Sequence, residues 1–406
     1  MIIVGLGCCH ACACGHGAQT RPTRRINIRI LLVFAWPMPA ISRNGDFRFD
    51  ILPDKITSPV TNSKRLGLGH TIKEQRPIDR QRTAAGSAVV GTPEEGAITS
   101  MVEIDGTLYF IKQRAIYGIL EADQIDPGRT NSDLPRFVHH QLRSVGSDSK
   151  LVGQTLLTAV GLFQKGKFLP KGFPQERALI LTVDALDNMV ALCAGADEFE
   201  VAQREANVAA QSTTRGRGSL QIPQIGDIKT KPRTFAQRAD HAANALFGIV
   251  ELFYSDLGKR RWNGLAKLAD TRYGADDVFT KFLGEAVPFL LLVRNVRDCM
   301  EHNLKDLSVA DFILQASGEI VAPTIGINFR ESHRPPIATS SFLAEVVNQL
   351  PLAFEIMIAH LCDKHAQAPM PDWPIRVGTL PENRQREKFV RFSYGTYLGD
   401  DFVPIG

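Results

Sequence analysis

Apolar residues recur at intervals of three and four positions in the C-terminal half of the chain, most clearly between residues 276 and 303. This spacing places them on one side of an α-helix, where they pack against partner helices. The positions that form the stripe are Val278, Phe279, Phe282, Leu283, Val287, Leu290, Leu291, Val293, Val296 and Met300. The pattern therefore predicts a long core helix, with Pro288 bending or loosening its middle.

The same periodicity predicts further helices on either side of a region rich in Gly, Pro and Lys. That region, residues 213–233, has the composition of a linker. Before it, the apolar positions from Leu108 to Leu120 are also spaced as in a helix. Other helices are predicted at 149–164, 174–194, 197–212, 234–257, 261–272 and 340–365. We therefore expect a helical N-terminal domain over 101–212 and a second helical domain over 234–406.

Two short stretches have the alternation of apolar and polar residues that is typical of β-strands. Residues 311–330 alternate around Ser317 and Gly318, which predicts a β-hairpin. The C-terminal tail, residues 389–406, predicts one or two strands that add to it. The expected fold class is thus mainly α, with two helical domains and a small β-hairpin or sheet added to the second.

Positive charge is distributed unevenly along the chain. The formal net charge is +4 over 406 residues, but residues 1–100 hold 13 Lys and Arg against 7 Asp and Glu. This leaves 34 Lys and Arg against 36 Asp and Glu in residues 101–406. The larger part of the chain is therefore not a generic polyanion binder, and any contact that it makes with nucleic acid has to be local.

The first hundred residues differ from the rest because prolines interrupt every short apolar run. We expect residues 1–100 to be largely disordered or loosely packed, or to be an extension ahead of an internal start at Met101. Cysteines and histidines crowd together between Cys8 and His16. Thiolates and imidazoles bind soft metals, but this spacing matches no zinc finger, so we expect an unstructured tail without a metal.

No segment has the pattern of a membrane span or a secretion signal. The apolar run at 30–36 is too short for a bilayer, which needs about 20 residues, and it lies far from Met1. We therefore expect a cytoplasmic protein that does not associate with a membrane. Walker, G-x-S-x-G, H-E-x-x-H and kinase motifs are also absent from the sequence, so these classes of enzyme are not indicated.

Arg297, Asp298 and His302 stand at the end of the predicted core helix. An imidazole can move a proton and a guanidinium can hold the charge of a phosphate, so this group can cleave RNA without a metal. A second match to the same Arg-to-His spacing, Arg65 to His70, lies among glycines and polar residues typical of a loop. Arg297 and His302 project about 140° apart on one helix, so a second copy of the helix, or a neighbouring helix, has to complete the site.

The segment resembles the HEPN family, whose members carry Arg, a polar residue and then His after four to six intervening positions, at the end of a core helix. The resemblance covers residues 234–310. It implies an all-α domain, often a homodimer, that is a metal-independent ribonuclease or an inactive nucleotide-binding partner of a toxin or nucleotidyltransferase. It also implies that the RNA 2′-hydroxyl attacks the adjacent phosphate without a cofactor, with Arg297, Asp298 and His302 as catalytic residues. Arg294 and Asn295, in the same turn, are expected to contact the substrate.

The same charged residues also fit an ordinary solvated helix face. Arg294 with Asp298, and Arg297 with Glu301, are opposite charges four positions apart, which pair on a helix with little gain in stability. On this hypothesis the protein is a non-catalytic interaction or scaffold protein, such as a toxin–antitoxin or defence partner. The two hypotheses differ in their partners, since the ribonuclease binds RNA and a second copy of the chain, whereas the scaffold binds another protein.

Overall fold

The fold contains more strand than the sequence pattern predicts. The computed structural model describes residues 76–83, 89–164, 168–212, 219–370, 373–385, 387–399 and 401–405. The predictions for Cys8 to His16, for the apolar run at 30–36 and for Arg65 to His70 lie outside these residues. About 51% of the described residues are helical and 20% are in strands, which form four small sheets. The predicted mainly α class with two helical domains is therefore wrong, and the fold is mixed α/β.

An antiparallel sheet of four strands replaces the predicted first helix. After helix α1 (Pro77–Thr83), the strands β1 to β4 are Ile98–Ile104, Thr107–Lys112, Ile116–Glu121 and Phe137–Arg143, with the short helix α2 (Ala122–Ile125) before β4. The two-residue turn between β1 and β2 is formed by Asp105 and Gly106, which have φ angles of 51° and 66°. Asp-Gly is a preferred pair for such a turn. Together with the many β-branched and aromatic residues here, it outweighs the helical spacing between Leu108 and Leu120.

Residues on the N-terminal side of Met101 belong to this sheet and its packing. β1 begins at Ile98, and Val90 is buried in a small cluster with Tyr117 on one face of the sheet. The ammonium of Lys112 donates a hydrogen bond to the carbonyl of Val90 at 2.9 Å. The folded part of the chain therefore extends ahead of the internal methionine.

The middle of the chain forms one short and one very long helix. Helix α3 (Lys150–Val152) continues into two π-helical segments, Gly153–Leu157 and Val160–Gln164. Helix α4 (Gln175–Ser212) then runs without interruption through Gly195, where the sequence pattern predicted a break. One glycine inside a helix costs only about 1 kcal/mol, which the packing of the flanking turns offsets.

The remaining helices build the main core around α4. They are α5 (Thr230–Phe253), α6 (Arg261–Tyr273), α7 (Val278–Glu301) and α8 (Thr339–His365). Helix α5 packs against α4, α7 and α8, and α6 packs against α7. One hydrophobic cluster extends from Val102 in β1 through these helices to Tyr394. The domain division at 213–233 stays a prediction, but this core contains residues from both sides of it.

The other three sheets are small. A three-stranded antiparallel sheet contains β5 (Leu307–Ala310), β8 (Thr324–Phe329) and β9 (Ser332–Ala338), while β6 (Ile313–Leu314) pairs with β7 (Ile320–Val321). This last pair is the hairpin predicted around Ser317 and Gly318. The tail forms β11 (Phe392–Leu398) and β12 (Asp401–Pro404), which pair with β10 (Arg376–Thr379) in a sheet of their own. The predicted strands are thus present, but they do not join the hairpin.

Among the described residues, two helices are long and apolar enough to cross a membrane. They are α4 and α8, whose most apolar windows have a mean hydropathy of 1.6 and 1.4. However, 50% and 61% of these windows are buried inside the protein. Burial of this extent is typical of core helices in a soluble protein, which explains their apolar composition without a bilayer.

Candidate functional site

The C-terminal end of α7 carries all five residues predicted for the site: Arg294, Asn295, Arg297, Asp298 and His302. The helix begins at an Asp277 cap, whose carboxylate accepts a hydrogen bond from the N–H of Phe279 at 2.9 Å. Most of its apolar stripe faces the core, as predicted, so that Leu290, Val293 and Val296 are buried, but Val278 at its start is exposed. The charged residues of the last turns consequently lie towards α5 and towards the turn between β8 and β9.

Arg297 is held by three carboxylates. Its Nη2 atom lies 3.0 Å from Asp240 on α5, and its Nη1 atom lies 3.1 Å from Asp298 and 3.2 Å from Glu301. Burial alone lowers the pKa of Arg297, but the charges of Asp240 and Glu301 outweigh it, so that the pKa lies above its ordinary value. Asp240 is itself only 3% exposed. The guanidinium therefore joins two core helices, and its hydrogen-bonding groups point at protein carboxylates.

Asp298 is shared between two arginines, although not the pair that helical spacing predicts. It lies 3.1 Å from Arg297 and 3.2 Å from Arg330, which belongs to the turn between β8 and β9. The expected pair of Asp298 with Arg294 is not formed, whereas the expected pair of Arg297 with Glu301 is. Asp298 thus fixes the position of Arg330 rather than that of Arg294.

His302 is exposed at the C-terminal cap of α7. Its backbone N–H donates to the carbonyl of Asp298 at 3.1 Å, and the next residue, Asn303, has a left-handed conformation with a φ of 51°. Within the described part of the chain, its imidazole forms no hydrogen bond or ion pair. The structure thus brings Arg297 and Asp298 together but joins neither side chain to that of His302.

Asn295 is buried and serves as an anchor for the β8–β9 turn. Its amide nitrogen donates to the hydroxyl of Ser332 at 2.9 Å and to Glu331 at 3.4 Å. The oxygen of its side-chain amide accepts a hydrogen bond from Arg330 at 3.3 Å. Asn295, predicted as a substrate contact, therefore lines the site mainly by positioning Arg330.

Arg294 lines a cleft of about 430 Å³ between α6, α7 and the β8–β9 turn. We call this the arginine cleft, because four arginines line it: Arg260, Arg261, Arg294 and Arg330. Trp262, Asn263, Leu291, Asn295 and Glu331 complete its walls. Four arginines therefore line one small volume, in which Glu331 is the single lining carboxylate.

Three of these arginines lack an ion pair with any carboxylate in the described residues, namely Arg260, Arg261 and Arg294. Burial, and then the nearby charge of Arg294, lower the pKa of Arg261 below its ordinary value. Like charges repel in a partly desolvated cleft. The cleft thus concentrates positive charge, and within the described residues no ion pair neutralises it at Arg260, Arg261 or Arg294.

The guanidinium group of Arg261 is held in place by two contacts. Arg261 lies over the ring of Phe247 at 4.6 Å and donates to the amide oxygen of Asn244 at 2.7 Å. Asn244 in turn donates to Asp240 at 3.0 Å. A continuous chain of hydrogen bonds therefore links the arginine cleft to the carboxylate that holds Arg297.

Sequence reasoning found Arg294 and Asn295 but missed Arg260, Arg261 and Arg330. The first two belong to a Lys-Arg-Arg-Trp run at the start of α6, and Arg330 stands in the tight turn of a hairpin with a φ of 50°. Each of these is unremarkable alone, because isolated surface arginines are common. Only the packing of α6 and the hairpin against α7 brings them together.

The described residues contain no group of three or more His, Cys, Asp or Glu that could hold a metal ion. The carboxylates of Asp240, Asp298 and Glu301 near the motif are bound to Arg297. No family model, curated protein or solved structure matches this chain. The resemblance to the HEPN family therefore stays a prediction that rests on the motif.

Proposed function

We propose that this protein binds RNA through the arginine cleft. The observation that carries the proposal is the convergence of four guanidinium groups on one cleft, three of them without a carboxylate partner in the described residues. A guanidinium binds a phosphate through two parallel hydrogen bonds, with geometry that an ammonium does not reproduce. A local cluster also suits a chain whose residues 101–406 are otherwise not basic.

On this proposal the motif residues of α7 have different roles. Arg294 contacts phosphate directly, while Asn295 and Asp298 position Arg330 for the same purpose. Arg297 has a structural role, since it binds Asp240, Asp298 and Glu301. The protein is then an RNA-binding protein, and we propose a cytoplasmic location for it.

Arg294→Ala tests this proposal. We expect it to weaken binding of a short single-stranded RNA by about tenfold, the worth of one charge-assisted hydrogen bond. The slope of log affinity against log salt should fall by about one, because one phosphate contact is lost. Fluorescence anisotropy across a salt series measures both quantities.

Arg204→Ala is the matched control, because it removes the same charge from an exposed position on α4 whose pair is Glu200. Its affinity and salt slope should equal those of the wild type. Equal losses in the two variants would show that RNA responds to net charge rather than to the cleft. Absence of binding by the wild type would refute the proposal.

Metal-independent RNA cleavage is a second candidate, and one observation favours it. The imidazole of His302 is exposed and has no partner within the described residues, so it is available to transfer a proton. Arg297 does not complete this site within one protomer, because it is bound to carboxylates. Cleavage therefore requires a guanidinium from elsewhere, such as a second copy of the chain in a homodimer.

His302→Ala separates cleavage from binding. If His302 is a general acid or base, the variant should lose about 10²-fold in cleavage rate while RNA affinity stays unchanged. Wild-type cleavage should survive EDTA and leave cyclic-phosphate ends, and light scattering should show a dimer. A wild type that binds RNA but leaves it intact would eliminate the enzymatic candidate and leave the RNA-binding proposal standing.

A further inference from the structure

We infer that the arginine cleft takes the terminal phosphate of an RNA strand rather than an internal phosphodiester. This inference rests on the proposed function and specifies its substrate. An internal phosphodiester carries one negative charge and two free oxygens. A terminal phosphate carries about −1.5 to −2 at neutral pH and three strong acceptor oxygens.

The number of donors in the cleft fits the larger charge. Arg260, Arg261 and Arg294 have no carboxylate partner in the described residues, and Arg330 has one, Asp298. A single phosphodiester would leave most of this charge unneutralised. A terminal phosphate instead offers oxygens on several sides, so that guanidinium groups from α6, α7 and the β8–β9 turn can each bind one.

The surroundings of the cleft oppose a strand that continues along α7. After Arg294, α7 carries Arg297, Asp298 and Glu301. The two carboxylates pair with Arg297 and neutralise its charge. The side chains of Asp298 and Glu301 are 14% and 32% exposed. Proteins that bind single strands without an end preference have a positive groove that follows the backbone. Along α7, the arginine that follows the cleft, Arg297, is already paired with carboxylates.

The size and rigidity of the cleft agree with one terminal group. Its volume of about 430 Å³ lies near the lower end of small-ligand pockets, about 300 to 1,000 Å³. Arg261 is fixed by Asn244 and Phe247, and Arg330 by Asn295 and Asp298. Donors that are held in place before binding reduce the entropy lost when the ligand enters.

The test compares RNA ends by isothermal titration calorimetry with the full-length protein. Three short oligoribonucleotides of one sequence are used, with hydroxyls at both ends, with a 5′-phosphate, or with a 3′-phosphate. We expect one of the phosphorylated forms to bind at least about tenfold more tightly than the hydroxyl form. The form that gains affinity identifies the end that the cleft accepts, and inorganic phosphate should compete with it.

Arg260→Ala and Arg294→Ala should remove the preference for the phosphorylated end, whereas Arg204→Ala should retain it. Neither cleft arginine has an ion pair to lose in the described residues, so both variants should keep the wild-type circular dichroism spectrum. Equal affinity for all three oligoribonucleotides, with binding still weakened by Arg294→Ala, would overturn the inference and leave the proposed function intact. If none of the three binds, both are overturned.

Discussion

Arg391→Ala is expected to lower the free energy of unfolding by about 4 kcal/mol, within the range for breaking a buried ion pair. Its partner, Glu355, lies in α8 and has no exposed surface. The Glu355 carboxylate accepts hydrogen bonds from Nε of Arg391 at 3.0 Å, from Nη2 of the same arginine, and from the amide of Gln154 at 2.7 Å. Removing Arg391 leaves a buried charge with one neutral donor.

The cost is large because the two partners differ in their access to water. Arg391 lies in the segment ahead of β11, and its side chain is 40% exposed. The side chain of Glu355 is 0% exposed, so its carboxylate has no contact with solvent. Urea denaturation followed by circular dichroism measures the loss. A loss under about 1 kcal/mol, typical of a surface pair, would contradict this assignment.

Two further variants isolate the cause. Arg384→Ala removes an exposed arginine from the same segment and should change stability by less than about 0.5 kcal/mol. Replacing both partners, as Glu355→Met with Arg391→Met, should recover most of the stability, because two apolar side chains leave no unpaired charge. Failure of the double variant to recover would show that the arginine stem, and not its charge, holds the segment.

Arg297→Ala is expected to cost about 3 kcal/mol, at the lower end of the range for a broken buried pair. The reason is Asp240, whose side chain is 4% exposed and would keep only Asn244 as a donor. The partial exposure of Arg297, at 27%, lets water relieve part of the cost. A solvated helix face would instead lose under about 1 kcal/mol, so urea denaturation distinguishes the two descriptions.

Arg204→Ala again provides the control, since both members of its pair with Glu200 are about two-thirds exposed, at 67% and 66%. It should cost no more than about 0.5 kcal/mol. Arg297→Lys should recover part of the lost stability, because the ammonium can still pair with Asp240 but cannot reach all three carboxylates at once. Unchanged stability in Arg297→Ala would contradict the structural role of Arg297 and make it a candidate for binding or catalysis.

The long core helices could be predicted from sequence because each carries a sustained apolar period. The stripe at 278–300 and the run to His365 appear in the structure as α7 and α8. The first sheet was missed because six apolar positions between Leu108 and Leu120 happen to fall at helical spacing. The Asp105–Gly106 pair was the local signal for a hairpin, and it was overlooked.

The site could be predicted only where its residues are neighbours in sequence. Arg297 and Asp298 do interact, as their adjacency suggested. The contact that decides the role of Arg297 is with Asp240, which is 57 positions away on α5. No periodicity links these two positions, because they meet only when two helices pack. The arginine cleft was hidden for the same reason, since its four arginines come from α6 and the residue before it, from α7 and from the β8–β9 turn.

The hydrogen-bond chain from Arg261 through Asn244 and Asp240 to Arg297 has an evolutionary consequence. Asp240 is shared between the cleft and the α5–α7 junction, so a substitution there disturbs both at once. A chain can lose or reverse this charge only if Arg297 changes with it. Positions 240 and 297 are therefore expected to change together during evolution. A motif search that considers only the arginine misses the aspartate that is coupled to it.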